Sequence, residues 1–363
     1  MNPEKKKSFY QHFSAVLLLV TNFLLGILLG MLFIRYDLWD HPLKLILMFS
    51  VSTALAIVLQ IILHEGGHFL FGSLHHFKFI SFRILNWIWI RQADGTIARK
   101  KYSLKGTLGQ CLMEAEKERS LSDDLWYNFG GALNNFLFSI AALLLSFRIH
   151  NANISFFLTL FALYGIYLGA TNAIPLRREG INNDGDNAVE CIQIPSAREA
   201  LYKQLLVNKL LSQNQSITDL PDSFFSYNEE DARKSVLVTS VKVIRENKWM
   251  YQQKFAEAEK ELDELLSGAY PMIDAQKYLL LCEKNYLRAL RKEEIPENTD
   301  KKFKSFLVSM KDNPAVLRYQ IALSRQKGNE EETGKILQHF EKAKKDYPYP
   351  SEIPYEEALI RLL

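Results

Sequence analysis

The sequence IILHEGGHFLFG, residues 61–72, ends an apolar run that begins at about Leu43. A run of about 20 apolar residues is long enough to cross a bilayer as a helix. His64, Glu65 and His68 lie near the end of this run, where ionisable side chains are costly and usually have a function. The stretch therefore predicts a membrane helix with a functional polar site near one end.

The long apolar runs are confined to the first half of the 363-residue chain. Four of them are long enough to cross a bilayer, at about residues 13–34, 43–71, 128–147 and 154–175. The remainder is rich in Lys, Glu, Asp and Gln. We therefore predict a polytopic α-helical membrane protein with a transmembrane domain, residues 1–190, followed by a soluble all-α domain, residues 191–363.

The charges and cysteines argue against a nucleic-acid-binding protein and against a protein built on disulfides or cysteine-bound zinc. The net charge is only +3 and basic residues are interleaved with acidic ones, so no basic stripe indicates a nucleic-acid partner. Cys111, Cys191 and Cys282 are isolated thiols. This pattern argues against a disulfide framework and against a thiolate zinc site, and it fits a reducing compartment.

The distribution of basic residues predicts the orientation in the membrane, because Lys and Arg concentrate in cytoplasmic loops. The basic residues that flank the spans are Lys5, Lys6, Lys7, Lys78, Arg83, Arg91, Arg99, Lys100, Lys101, Lys105, Arg177 and Arg178. We expect an integral protein of a bacterial cell membrane with both termini in the cytoplasm. This orientation brings the HEGGH end of the second span, the start of the third and the end of the fourth to one membrane face.

His64, Glu65 and His68 form an H-E-x-x-H pattern. Histidines four residues apart project from one helix face and can bind one zinc ion, while the intervening glutamate can take a proton from zinc-bound water. Zinc lowers the pKa of that water towards neutrality. Gly66 and Gly67 weaken a helix, so they suggest that another backbone approaches this face closely.

A catalytic zinc site normally has a third protein ligand and an open position. The best candidate is Asp184, in the Asp184–Gly185 turn just after the fourth span, on the same predicted membrane side as the histidines. Taken alone, this pair is also typical of an ordinary solvated turn. A zinc-binding helix that uses Glu179 or Glu190 instead of Asp184 is an alternative.

Three motifs together resemble the site-2 protease family of intramembrane zinc metalloproteases. The matching stretches are His64–His68 (HEGGH), Gly130–Asn134 (GGALN), and Asn172–Pro175 (NAIP) with Asp184–Gly185. The resemblance covers about residues 43–190, and no PDZ or CBS domain is evident. It is more specific than any one motif, since the three occur in the order found in the family.

The resemblance implies His64, His68 and Asp184 as zinc ligands and Glu65 as the general base. It also implies that Asn172 is a polar group that helps to hold the substrate or the oxyanion, with Asn134 close by. The chain departs from the family in three ways: Gly131 replaces the usual proline, Gly66 is unusually small, and the spacing from Asn172 to Asp184 is about four residues longer. The longer spacing leaves open whether Asp184 or Asp186 is the third ligand.

The segment between the second and third spans is predicted to contain a membrane-associated β-hairpin. Apolar residues partly alternate, aromatic and β-branched residues are frequent, and Asp94–Gly95 is a hairpin turn signal. In relatives, an element here can pair with an extended substrate; a hairpin that only covers the site is an equal alternative. Residues 108–113, LGQCLM, carry no pattern that assigns a structure, and we expect Cys111 to be a packing residue.

The C-terminal half shows apolar residues at three-to-four spacing and is predicted to be helical. Residues 313–348 resemble a degenerate tetratricopeptide unit, which suggests a protein partner for this domain.

The sequence as a whole predicts a zinc endopeptidase that hydrolyses a peptide bond in or next to the bilayer, in a membrane-anchored protein or a peptide precursor. The alternative is a catalytically silent membrane anchor whose helical domain binds a cytosolic partner.

Overall fold

The structure is a computed structural model that describes residues 3–36, 42–104, 107–175, 177–178 and 181–363. The chain divides into two compact units. The first comprises Met1–His76, Arg119–Arg178 and Asn182–Val189, and the second comprises Phe77–Glu118, Glu179–Ile181 and Glu190–Leu363.

Four long helices build the first unit: α1 (Pro3–Arg35), α2 (Pro42–Leu74), α3 (Leu121–Ser146) and α4 (Ala152–Ala173). In the described residues, three helical segments are long and apolar enough to cross a membrane: Ile46–Leu74, Leu121–Ser146 and Ala152–Ala173. These helices indicate membrane association. The described apolar part of α1, Leu19–Arg35, is shorter than these segments, so the first of the four predicted spans stays a prediction.

The surface of these helices is apolar. Large side chains such as Ile46, Leu47, Leu137 and Leu144 are more than half exposed. A soluble protein rarely exposes contiguous apolar surface of this kind, whereas a lipid-facing helix does. Polar side chains lie inside the same unit, where Gln60, Asn135 and Ser139 are fully buried.

Small residues bring the helices close together. Ala56 of α2, Ala142 of α3 and Ala162 of α4 form one buried cluster with Phe161. Small residues at such crossings allow close backbone packing, which stabilises helix pairs in a membrane. At the end of α2 that carries the histidines, a Cβ atom on Gly67 would lie 2.3 Å from the carbonyl oxygen of Gly130 in α3.

The two glycines of the HEGGH motif differ in their surroundings. Gly67 confirms the expected close backbone approach, but no described atom lies within 4 Å of a Cβ built at Gly66. The expectation for Gly66 was therefore wrong. Consecutive helical residues point about 100° apart, so only one of the two glycines can face α3.

The second unit contains a four-stranded antiparallel sheet with the order β3-β2-β1-β4. Its strands are β1 (Lys78–Ile84), β2 (Trp87–Arg91), β3 (Ile97–Lys101) and β4 (Gly109–Glu114). The predicted hairpin is confirmed as β2 and β3, in which Trp89 lies opposite Arg99. Gly95 has a φ of 84°, and the Asp94 carboxylate accepts hydrogen bonds from the backbone and hydroxyl of Thr96.

Strand β4 comes from the stretch that the sequence pattern left unassigned. It pairs with β1, where Cys111 lies opposite Phe82, and Cys111 is buried. Association of the hairpin with a membrane stays a prediction.

Helices make up the rest of the second unit. They are α5 (Asp184–Gln193, shared with the first unit), α6 (Pro195–Ser212), α7 (Glu229–Ala232), α8 (Val236–Tyr251), α9 (Phe255–Leu266), α10 (Asp274–Leu290), α11 (Lys301–Ser309), α12 (Pro314–Gln326), α13 (Glu330–Asp346) and α14 (Ile353–Arg361). Two short strands, β5 (Arg177–Arg178) and β6 (Ile181–Asn182), precede them. The predicted helical character is confirmed, and the tetratricopeptide-like arrangement stays a prediction.

A buried arginine connects three of these helices. Arg318 of α12 is 1% exposed. Its guanidinium donates to Glu356 of α14 at 2.7 Å and to Glu283 of α10 at 2.6 Å. A buried charge of this kind requires paired partners, so the three helices are held in one arrangement.

The sheet packs with the helices of the second unit, whereas the sequence-based division placed it with the transmembrane domain. Lys209 of α6 pairs with Glu114 of β4 at 2.6 Å, and the Lys100 ammonium donates to the Tyr347 carbonyl at 2.7 Å. These long-range bonds explain the grouping, because a sequence pattern does not show which distant helix covers a sheet.

Several residues used in the sequence-based predictions lie outside the described part of the chain. These are Lys105, counted in the orientation, Glu179, an alternative ligand, and residues 37–41, in the predicted connection between the first two spans.

Candidate metal centre

Two histidine side chains of α2 meet inside the first unit. His64 and His68 are 9% and 6% exposed, and their Nε2 atoms lie 3.2 Å apart. Residues four apart on a helix share a face, so the local helix alone places these two rings side by side. The sequence spacing predicted this pairing.

The second ring nitrogen of each histidine has an acceptor of its own. His68 Nδ1 lies 2.7 Å from the carbonyl oxygen of Tyr127, and His64 Nδ1 lies 2.7 Å from Oδ1 of Asn135. A carbonyl oxygen only accepts, so the Nδ1 atom of His68 carries the proton. When the ring is neutral, its Nε2 atom then presents a lone pair, which is the form of histidine that binds a metal.

The Asp184 carboxylate completes a group of three. Its Oδ2 atom lies 3.0 Å from Nε2 of His64 and 3.3 Å from Nε2 of His68. In the described part of the chain, this buried oxygen accepts no hydrogen bond. Three acceptor atoms that face one another repel unless a cation or a proton lies among them.

The distances within this group fit a tetrahedral zinc site. Zinc binds histidine nitrogen and carboxylate oxygen at about 2.0–2.2 Å, so two ligand atoms of a tetrahedron lie about 3.3–3.6 Å apart. The observed separations of 3.0, 3.2 and 3.3 Å are close to these values. Two imidazoles and one carboxylate are also a donor set that zinc accepts, with a fourth position left open.

Asn183 positions Asp184. Its side-chain amide donates to the carbonyl oxygens of Thr171 and Ile174 at the end of α4, at 2.7 and 2.5 Å. Its Oδ1 atom accepts from the backbone N–H of Asp186 at 2.9 Å and so caps the N-terminus of α5. One side chain thereby joins the end of α4 to the start of α5, where Asp184 lies.

Gly185 allows α5 to begin this close to α4. A Cβ atom at this position would lie 2.3 Å from the carbonyl oxygen of Ala173. Burial raises the pKa of the Asp184 carboxyl, but positive charge on the adjoining His68 and His64 rings, when these are protonated, lowers it by more, so this pKa lies well below its usual range. The carboxylate is therefore ionised at neutral pH.

Glu65 is buried beside the first histidine, at 7% exposed. It lies three residues before His68, in the same helical turn, and is close enough to interact electrostatically with that ring. Asn134 donates to the Leu63 carbonyl at 2.6 Å, and so links α3 to the histidine helix. Asn172 is half-buried and donates to the carbonyl of Leu168 within its own helix at 2.9 Å; its role in holding a substrate or an oxyanion stays a prediction.

The other acidic candidates lie elsewhere. In the described residues, the carboxylate grouped with the two histidines belongs to Asp184, whereas Asp186 contributes its backbone N–H to the Asn183 cap. The Glu190 carboxylate accepts from the backbone N–H groups of Val236 and Leu237, at 3.1 and 3.2 Å, at the start of α8. Glu179 lies outside the described residues.

Asn135 and Gln60 belong to the site but were absent from the sequence-based prediction. The Asn135 amide donates to the backbone carbonyl and to Oε1 of Gln60, at 2.9 and 2.7 Å. Both residues are fully buried. The available signal was a polar residue inside an apolar run, which is costly in a membrane and usually has a structural or functional partner.

Comparisons of this chain with protein-family models, with curated proteins and with solved structures found no match.

Proposed function

We propose that this protein is a membrane zinc metalloprotease that hydrolyses a peptide bond in or next to the bilayer, as the resemblance to the site-2 protease family implies. The observation that supports the proposal most directly is the grouping of His64 Nε2, His68 Nε2 and Asp184 Oδ2 within 3.3 Å of one another. Two of these atoms come from α2 and the third from α5, so the helix packing creates the group.

These three side chains would hold the metal. When bound, zinc supplies a Lewis acid that polarises the peptide carbonyl and lowers the pKa of water. Asn135 and the Tyr127 carbonyl hold the two rings with their Nε2 lone pairs directed at the site. Asp184 contributes one negative charge, which offsets part of the charge of a divalent ion.

Glu65 is the proposed general base. Glu65 is adjacent to His64 in the sequence, and its carboxylate interacts with His68. A proton acceptor therefore lies in the same helical turn as the two histidines. In the forward reaction this carboxylate takes a proton from the attacking water and delivers it to the nitrogen of the departing amine. Burial at 7% exposed keeps bulk water from competing for that proton.

The environment of the site defines the class of substrate. The helices around the site expose apolar side chains, so we expect a membrane-anchored protein or peptide to approach from the bilayer. A helical segment hides its amide groups in internal hydrogen bonds. Such a substrate must therefore unwind near the site before the water can attack its carbonyl.

The experiment compares the detergent-purified wild type with Glu65→Gln, and with Glu297→Gln as an exposed control. Bound zinc is measured by elemental analysis, and cleavage is measured on a panel of transmembrane peptides. We expect zinc in all three proteins and cleavage in the wild type and Glu297→Gln only. Wild type that lacks zinc after preparation with excess metal overturns the proposal, and zinc without cleavage in any variant or peptide favours the silent membrane anchor.

A further inference from the structure

We infer that Asn135 is a positioning residue that fixes the ring tautomer of His64, so that its Nε2 lone pair faces His68 and Asp184. The effect on zinc rests on the proposed function, whereas the effect on the tautomer is a property of the chain without metal. Asn135 does not occur in the HEGGH, GGALN or Asp184–Gly185 stretches; it follows the GGALN stretch directly.

The orientation of the Asn135 carboxamide follows from its partners. Its Nδ2 atom lies 2.9 Å from the backbone carbonyl oxygen of Gln60, which can only accept a hydrogen bond. The nitrogen of the carboxamide is therefore on the Gln60 side, and the oxygen is on the His64 side. Because Oδ1 is an acceptor, the His64 Nδ1 atom at 2.7 Å must carry the proton.

The Gln60 side chain strengthens this orientation. Its Oε1 atom is a second acceptor for Asn135 Nδ2 at 2.7 Å, and its Nε2 atom donates to the Phe161 carbonyl of α4 at 3.0 Å. The Phe161 carbonyl cannot donate, so Gln60 cannot reverse its amide without losing both bonds. The direction of every hydrogen bond from α4 to His64 is thus set by backbone carbonyls.

A glycine makes room for this chain of hydrogen bonds. A Cβ atom on Gly165 would lie 2.2 Å from Nε2 of Gln60 and 2.0 Å from Oγ of Ser139. Gln60, Asn135 and Ser139 are all fully buried, so water does not replace a lost partner. An unpaired buried polar group is costly, so each of these hydrogen bonds favours the orientation in which Asn135 Oδ1 faces His64.

The consequence is a preorganised ligand. A neutral histidine without a partner on Nδ1 places its proton on either nitrogen, and the form protonated on Nε2 cannot bind a metal through that atom. Loss of an outer partner of a histidine ligand typically weakens metal binding about 10- to 100-fold. We expect this range for Asn135→Leu, which removes the acceptor.

The test reads the tautomer directly in the full-length chain. Metal-free protein labelled with ¹⁵N in histidine is studied by NMR at a pH where the rings are neutral, because protonated and bare ring nitrogens have separate resonances. Zinc affinity is measured in parallel by competition with a chelator. The variants are Asn135→Leu, Asn135→Asp and Gln60→Met, and Asn134→Ala is the matched control, since the neighbouring Asn134 amide bonds to the Leu63 carbonyl.

We expect His64 to carry its proton on Nδ1 in the wild type, in Asn135→Asp, which keeps the acceptor, and in Asn134→Ala. Asn135→Leu should show a mixture of both forms. Gln60→Met should show a smaller loss of zinc affinity, because the Gln60 backbone carbonyl still holds the Asn135 amide.

Two outcomes overturn the inference: His64 protonated on Nε2 in the wild type, or an unchanged tautomer and zinc affinity in Asn135→Leu. If Asn135→Leu does not fold, Asn135→Asp provides the test: a proton on Nε2 of His64 in that variant also overturns the inference. A wild type that binds no zinc but shows the expected tautomers refutes the proposed function and leaves the role of Asn135 intact.

Discussion

A Cβ atom on Gly131 would lie 2.6 Å from Nε2 of His68. The same atom would also lie 2.6 Å from Cε1 of His64, so the backbone of α3 contacts both rings of the candidate metal centre. A residue with a side chain, proline included, does not fit at this position while the rings stay in place. This contact accounts for a glycine at position 131.

Gly131→Ala is therefore expected to weaken zinc binding. Overpacking a filled site costs about 1–3 kcal/mol, which corresponds to roughly 5- to 150-fold in zinc affinity. The measurement is a chelator competition on the full-length protein in detergent. Gly66→Ala is the matched control, because no described atom lies near its Cβ and alanine favours a helix. Equal zinc affinity in the two variants would show that α3 does not contact the rings as described.

Asp184→Asn should lower zinc affinity by more than the roughly 10- to 100-fold caused by losing an outer partner. A neutral carboxamide is a weaker ligand than a carboxylate, and Asp184 Oδ2 lies 3.0 and 3.3 Å from the two Nε2 atoms. Asp186→Asn is the comparison, since Asp186 contributes a backbone N–H to the Asn183 cap. Zinc retained at the wild-type level in Asp184→Asn would exclude it as a ligand.

Asn183→Ala should reduce both local stability and zinc affinity. The change removes two hydrogen bonds to the end of α4 and the cap of α5, and loss of a helix cap alone costs about 1 kcal/mol. Hydrogen exchange of residues 184–193 measures the stability of α5. Asn187→Ala, in the same helix, is the control. Unchanged exchange in Asn183→Ala would mean that the cap does not hold the ligand helix.

Much of the site was predictable because its signals are local. The H-E-x-x-H spacing depends only on helix geometry, so the pairing of His64 and His68 followed from the sequence. The Asp94–Gly95 turn is likewise a local signal, and it correctly located a hairpin.

The remainder depends on contacts between distant segments. Asn135 contacts His64 only because of the way α3 lies against α2, and one sequence does not reveal that register. The sequence favoured Asp184 as the third ligand and left Asp186 open. In the structure the Asp184 carboxylate lies with the two histidines, whereas Asp186 donates its backbone N–H to Asn183. Strand β4 was unassigned because Gly109 and Gln110 are weak strand formers, and the strand exists through its pairing with β1.

A final prediction concerns pH and the second unit. Burial raises the pKa of Glu352 to about 7 from an ordinary value of 4.5, although Tyr347 donates a hydrogen bond to its carboxylate. The folded chain therefore holds this proton more tightly than the unfolded chain does. The contribution of protonated Glu352 to the stability of the folded chain is complete below about pH 4.5 and is lost as the pH rises through about 7.

The difference between the folded and unfolded pKa of Glu352 corresponds to about 3 kcal/mol in the free energy of unfolding. Glu352→Gln should remove this pH dependence, because glutamine does not titrate. The effect is measured as the urea midpoint of the second unit at pH 5 and pH 8. Unfolding is followed by hydrogen exchange of residues 353–361, with the exchange rates corrected for their intrinsic dependence on pH. Glu341→Gln, at an exposed position, should keep the wild-type difference between the two pH values. If Glu352→Gln keeps it as well, a different group is responsible, because a Glu352 carboxyl with a raised pKa must lose its contribution in that variant.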